Sequence, residues 1–168
     1  FEVDFFNKFD IKTQFIGHPL LDEHIYQGTI KPYDKRDNIL ALMPGSRKQE
    51  LQNHLPIFKK IAGKFLQEHK NFKVGLSITK AYNDINPENY FDSPIYFDDS
   101  KELLHKAKIG LIKTGTSTLE ATLSGLPFVM IYKTSPLTYF FGKNLINLPY
   151  LSLPNILKHE QIIEEHIQ

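Results

Sequence analysis

The sequence predicts an α/β fold, a doubly wound domain on a parallel sheet, and three observations predict it. Short apolar runs at 38–43, 109–112 and 128–132 read as strands covered on both faces. Between them lie segments with apolar residues at helical spacing, joined by short connections containing Gly and Pro. Two of these connections share one makeup, a strand followed by Gly and Ser and then a helix: Pro44-Gly45-Ser46-Arg47 and Lys113-Thr114-Gly115-Thr116-Ser117-Thr118-Leu119-Glu120. In open parallel sheets ligands collect outside the carboxyl ends of strands, where both turns fall.

Taken in order, residues 1–9 mix aromatics with Glu2, Asp4 and Lys8 at helix-compatible spacing, and Gln14-Phe15-Ile16 reads as a short strand closed by Gly17-His18-Pro19. His18 is either a ligand contact or, as is commoner, a histidine locked in its turn. Residues 23–35 are polar and aperiodic and read as a loop. After the strand at 38–43, Leu51 and Leu55 extend a short helix. Pro56 is expected at the first position of a longer one with Phe58, Ile61, Ala62, Phe65 and Leu66 inward, and a kink is expected near Leu55. Strands follow at 72–78 and 94–97, and Asp98-Asp99-Ser100 starts a helix through Ala107; that acidic pair reads as a helix cap before it reads as a metal site. A helix over 119–123 ends at Gly125 and Pro127, and 128–132 is a further strand. Tyr139-Phe140-Phe141, with Leu145 and Ile146, reads as core or domain contact, with lipid contact as the alternative. Pro154-Asn155 forms a third turn, and 162–167 reads as a last helical fragment.

The 168 residues suit one domain with a sizeable core. Phe stands first where Met would begin a chain, so the sequence reads as a piece of a longer protein. Twenty Lys and Arg against nineteen Asp and Glu leave a net charge of +1. That gives no electrostatic footprint for nucleic acid and no basic face to hold an anionic membrane. With no Cys, disulfides, thiolate metal sites and cysteine nucleophiles are excluded. The apolar runs are far shorter than the roughly 20 residues of a spanning helix, and residues 1–6 lack the basic start of a signal peptide. A soluble chain is expected.

The organising turn carries two readings. Gly115 removes the Cβ that would block a ligand, and the first-turn N–H groups of the following helix, with its dipole, favour an anion. Against this, Ser117 and Glu120 have the spacing of a capping box, which needs no ligand. The first turn adds Arg47, a planar fork of donors suited to phosphate. Three turns converging at strand ends favour a nucleotide or phosphorylated ligand. The P-loop spacing is absent, as are Gly-x-Gly-x-x-Gly and Gly-x-Ser-x-Gly, so nucleoside triphosphatase, dinucleotide oxidoreductase and acyl-transfer readings lose their warrant. The seven histidines fall at no metal-ligand spacing and are placed mostly on helix surfaces.

Four segments, in order, carry a resemblance: Ile16-Gly17-His18-Pro19-Leu20-Leu21-Asp22, Leu42-Met43-Pro44-Gly45-Ser46-Arg47-Lys48-Gln49-Glu50, Gly115-Thr116-Ser117-Thr118-Leu119-Glu120-Ala121 and Leu153-Pro154-Asn155-Ile156-Leu157. Together they resemble the carboxyl-terminal half of the lipid-A-disaccharide synthase family. The resemblance implies a Rossmann-like domain, the nucleotide-sugar half of a GT-B glycosyltransferase, with residues 1–22 leading in from another domain, 23–168 forming the donor domain, and the chain cut at both ends. It implies an inverting transfer of 2,3-diacylglucosamine from its UDP donor to 2,3-diacylglucosamine 1-phosphate at the cytoplasmic face of a Gram-negative inner membrane. The lipid acceptor and the base would belong to the other domain, membrane contact would be peripheral, no cofactor or metal would be needed, and there is room for a homo-oligomer.

Carried over, Gly45, Ser46 and Arg47 resemble the diphosphate-side loop, with Arg47 stabilising the leaving group. Gly115, Thr116, Ser117 and Thr118 resemble the second phosphate-facing turn, Glu120 the acid placed on ribose hydroxyls, and Asn155 the family's Leu-Pro-Asn turn beside the cleft. Two residues depart from the pattern: Lys113-Thr114 stands where the family commonly has a small residue and Ser, and Ser117 replaces a frequent Ala. The final residues 164–168 resemble the start of a helix the family continues. The rival readings are another GT-B enzyme, such as a UDP-sugar epimerase, and a non-catalytic nucleotide-binding or protein-interaction module.

Overall fold

The computed structural model describes residues 2–22, 30–78, 85–133 and 149–167. The aromatic segment around Tyr139 lies outside the described residues. The apolar runs become β1 (Asp37–Met43), β4 (Ala107–Lys113) and β5 (Phe128–Tyr132), and β2 (Lys73–Leu76), β3 (Ile95–Tyr96) and β6 (Glu164–Ile167) complete one sheet. All six strands are parallel, in the order β3-β2-β1-β4-β5-β6. Among the described residues the α-helices are α1 (Glu2–Asn7), α2 (Lys48–Glu68), α3 (Ser100–Lys106), α4 (Thr116–Leu123) and α5 (Leu153–Lys158). The expected doubly wound α/β class is the observed one.

The pleat of β1 shows why its run is apolar throughout. Ile39, Ala41 and Met43 enter one core with Leu103 and Leu104 of α3 and Ala121 of α4. Leu40 and Leu42 enter the other, beneath Leu51, Leu55, Phe58 and Ala62 of α2. A strand buried on both faces has no position where a polar side chain is cheap.

Several expectations are corrected. Residues 14–16 form no strand; Phe15 and Ile16 are 78% and 90% exposed, and among the described residues no strand pairs with them. The two helices expected around Leu55 are one, with Pro56 in its interior. Pro56 and Gln52, whose carbonyl loses the i+4 donor, both lie on the exposed side, so water can take that bond, while the buried stripe runs through unbroken. Pro154-Asn155 is the first turn of α5, with Pro154 at a position that needs no N–H. Residues 164–167, expected as helix, pair instead in parallel with β5, Val129 opposite Glu164 and Tyr132 opposite Ile167.

Two cautious readings hold. The backbone N–H of Leu20 donates to His18 Nδ1 at 3.2 Å, which locks the turn. Asp99 is the N-cap of α3 and accepts from the N–H of Lys101 at 2.9 Å. Asp99→Ala is expected to cost about 1 kcal/mol, the usual worth of such a cap, and a urea melt that leaves stability unchanged would show that water replaces it.

Candidate functional site

Sheet order sets the location. From β1 the chain steps to β2 on one side, and from β4 to β5 on the other, while β1 and β4 are hydrogen-bonded neighbours. Met43 pairs with Ile112, so the two strands end side by side. The reversal point of a doubly wound sheet leaves a crevice between diverging connections. Here the crevice is a cavity of about 410 Å³. Gly45, Ser46 and Arg47 line it from the first loop, and Gly115, Thr116, Ser117 and Glu120 from the second.

Each loop has its shape for a local reason. Gly45 has φ +119°, and a Cβ there would lie 2.5 Å from Oε2 of Glu50 and 2.8 Å from its Cβ, so both conformation and space demand Gly. The Glu50 carboxylate, at the third position of α2, folds back under the loop. It accepts from the backbone N–H of Ser46 at 3.1 Å and of Arg47 at 3.4 Å. This is the returning half of a capping box; Arg47, at the N-cap, has no acceptor with which to supply the other half. The same carboxylate receives the Arg47 guanidinium at 3.3 Å and Lys113 Nζ at 2.9 Å. Burial pushes the Glu50 pKa up, but the Lys113 contact and the two backbone donors outweigh it and hold the group below the usual carboxylate range.

The second loop corrects the capping-box expectation. The N-cap of α4 is Gly115, at φ +139°, and the Ser117 hydroxyl donates back to the Lys113 carbonyl at 3.2 Å, so it does not cap Glu120. Thr118 is fully buried, and its hydroxyl donates to the Gly115 carbonyl at 2.7 Å. It braces the turn from behind and does not line the cavity. Glu120 does, with one oxygen accepting from Ser100 Oγ at 3.4 Å.

Asn155 also stands apart. Its side chain is buried and its oxygen accepts from the N–H groups of Ile162 and Ile163, at 2.9 and 2.8 Å. Its nitrogen donates to the Ile163 carbonyl at 2.8 Å and to Glu165 at 2.7 Å. A carboxamide has two donors and two acceptor sites, so nothing remains for a ligand. Asn155 ties α5 to β6. The second loop still reaches this region, since Thr114 Oγ1 donates to the Leu151 carbonyl at 3.0 Å.

Sequence reasoning missed four residues on or under the site. Glu50 sits three residues after Arg47, a readable cap signal obscured by the Arg at the cap position. Ser77 and Ser100 line the cavity from the ends of β2 and the start of α3, where a lone Ser carries no signal. His54, expected on a helix surface, is buried behind the first loop. Its Nε2 accepts from the Lys133 N–H at 3.0 Å, so the ring proton is on Nδ1, facing the Glu50 carbonyl at 2.7 Å. Burial draws its pKa down and favours this neutral form.

Comparison with known proteins fits this geometry. A family model described as lipid-A-disaccharide synthetase matches residues 1–168. The chain is 35% identical over 172 residues to a lipid-A-disaccharide synthase of Aquifex aeolicus, covering all of this chain and 48% of that protein. It is 30% identical over 177 residues to that of Rickettsia canadensis, again over its whole length and 46% of the relative. It is also 35% identical over 164 residues to that of Helicobacter pylori strain G27, covering 93% of this chain and 42% of that protein. The chain thus spans about half the length of the curated relatives it matches. With the match running from the first residue to the last and including both loops of the cleft, the chain belongs to the lipid-A-disaccharide synthetase family.

Proposed function

We propose that this chain is the nucleotide-sugar-binding part of an inverting glycosyltransferase. The enzyme would move 2,3-diacylglucosamine from UDP to 2,3-diacylglucosamine 1-phosphate, releasing UDP. The observation that carries this reading is the meeting of both Gly/Ser loops at the sheet's reversal point, in one crevice that holds Arg47 and the start of α4. Glycosyl transfer builds negative charge on the departing diphosphate. Arg47, paired with Glu50 on a side chain 79% exposed, brings its guanidinium to the crevice, and the start of α4, where Thr116 and Ser117 line it, adds the positive end of a helix dipole. Glu120, steadied by Ser100, supplies an acceptor for ribose hydroxyls.

Gly45, Ser46, Gly115, Thr116 and Ser117 shape the walls of this donor site, whereas Thr118 and Asn155 act behind it. The acceptor lipid and the base that deprotonates it are assigned to the part of the protein that the relatives have in addition. Residues 1–22 are assigned as the lead-in from that part. The exposed Phe5, Phe6, Phe9, Phe15 and Ile16 support this, as apolar side chains that would be covered by another domain. The reading places the protein at the cytoplasmic face of the inner membrane as a peripheral enzyme. Among the described residues no helix is long and apolar enough to cross a membrane.

Titration of the chain with UDP, followed by calorimetry or NMR, tests the site. UDP is expected to bind the parent, Arg47→Ala to weaken binding about tenfold or more, as loss of a charged hydrogen bond does, and Glu120→Ala to weaken uridine and UDP alike. A folded parent that binds no UDP would overturn the reading.

A further inference from the structure

Lys113 is the residue that joins the two loops. It ends β4, and its side chain, only 14% exposed, turns to the first loop and meets Glu50, itself 16% exposed, at 2.9 Å. On its other side the ammonium lies 6.0 Å from the centre of the Tyr132 ring, within range of a cation–π attraction. It lines the cavity beside Gly115, where a Cβ would stand 3.9 Å from Nζ. An ammonium has three N–H donors, and the carboxylate takes one.

Charge in the crevice makes this cation matter. Arg47 and Lys113 bring two positive charges and Glu50 and Glu120 two negative ones. Without Lys113 the lining would carry a net negative charge and repel a diphosphate. The two cations also differ in kind. Arg47 has a side chain 79% exposed, while Lys113, 14% exposed, is held between a carboxylate and a ring, and a charge already held in place costs less to organise when a ligand arrives.

We propose that Lys113 is a phosphate-binding residue of the donor site, a second and preorganised cation for the diphosphate, and that Glu50 is its positioning residue. This rests on the donor-site reading above. Glu50 ties the two cations to the first loop: it accepts from the Ser46 and Arg47 N–H groups, from the Arg47 guanidinium and from the Lys113 ammonium. The diphosphate enters the cavity that Lys113 lines and shares the ammonium with Glu50.

The test titrates the chain with UDP, inorganic pyrophosphate and uridine, beside Lys113→Met, Lys113→Arg and Glu50→Gln, with melting temperatures recorded. Lys113→Met is expected to weaken UDP and pyrophosphate by about tenfold or more and to leave uridine unchanged. Lys113→Arg should recover most of the loss, and Glu50→Gln should weaken the two phosphate ligands with uridine again unaffected. The salt dependence of UDP binding should become shallower in Lys113→Met, since one fewer cation is neutralised. If the parent binds UDP and Lys113→Met binds it equally well, Lys113 only closes the sheet end and the inference falls alone. If Lys113→Met loses uridine and UDP in parallel with a fall in melting temperature, and Lys113→Arg rescues neither, the role is structural and the inference also falls. If the parent binds neither UDP nor pyrophosphate, the donor-site reading falls with it.

Discussion

Arg36→Met is expected to destabilise the domain by about 3 kcal/mol or more, with UDP binding by the remaining folded protein unchanged. Arg36 is 4% exposed and stands at the end of the sheet opposite the crevice, just before β1. Its guanidinium spends its donors on carbonyls. Nε donates to Lys31 at 3.1 Å, Nη1 to Leu104 and Ala107 at 2.9 Å each, and Nη2 to Ser124. Leu104 and Ala107 belong to the end of α3, and Ser124 is the C-cap of α4. One cation thus satisfies the orphan carbonyls at two helix termini and sits at the negative end of both dipoles. Methionine fills similar space but leaves those oxygens buried without donors, each worth about 1–3 kcal/mol. Urea unfolding of the two proteins measures the difference; a loss below about 1 kcal/mol would mean that water reaches the carbonyls.

Glu165→Gln is expected to produce the second large effect, and to produce it only above the acid range. The Glu165 carboxylate accepts from the N–H of Leu151 and of Ser152 at 2.9 Å each, from the Ser152 hydroxyl at 2.6 Å and from Asn155 at 2.7 Å. Burial pushes its pKa up, but the Ser152 hydroxyl, the two backbone donors and Asn155 outweigh that and hold it below its ordinary value. A carboxylate lowered on folding stabilises the protein fully above its ordinary value near 4.5, and the contribution drains away as pH falls from there through the lower folded value. At neutral pH the Gln variant should therefore be less stable by about 2–3 kcal/mol, the worth of charged hydrogen bonds. The gap should narrow from about pH 5 downward. Urea melts of both proteins between pH 7 and 3 check this; a gap that stays constant across that range would remove the charge from the explanation. Amide exchange should show β6 and α5 opening first in the variant, since Glu165 and Asn155 are what bind them together.

The sequence was informative where burial is two-sided. β1, β4 and β5 are central strands with core on both faces, so their middles, 39–43, 109–112 and 128–131, are apolar without a break and the runs stand out, while Asp37, Asn38 and Lys113 fall at strand ends. β6 was misread because an edge strand has water beside it. Glu-Glu-His-Ile carries no apolar alternation, and only pairing with β5 makes it a strand. The opposite error befell residues 14–16, which have strand-like side chains but no pairing strand among the described residues.

At the crevice the turns themselves were legible, because Gly45 and Gly115 are demanded by backbone conformation, which is a local property. The chain's own order of residues therefore determined the fold class, the three central strands and the two loops that form the candidate site. What each side chain in those loops faces was decided only by the tertiary structure. Thr118 and Asn155 sit in the motifs but turn inward to bond backbone groups of neighbouring turns, while Lys113 and Glu50, 63 residues apart, become one ion pair because β1 and β4 end together. Hydrogen-bond direction and charge pairing depend on neighbours brought from elsewhere in the chain, and local spacing holds no record of them.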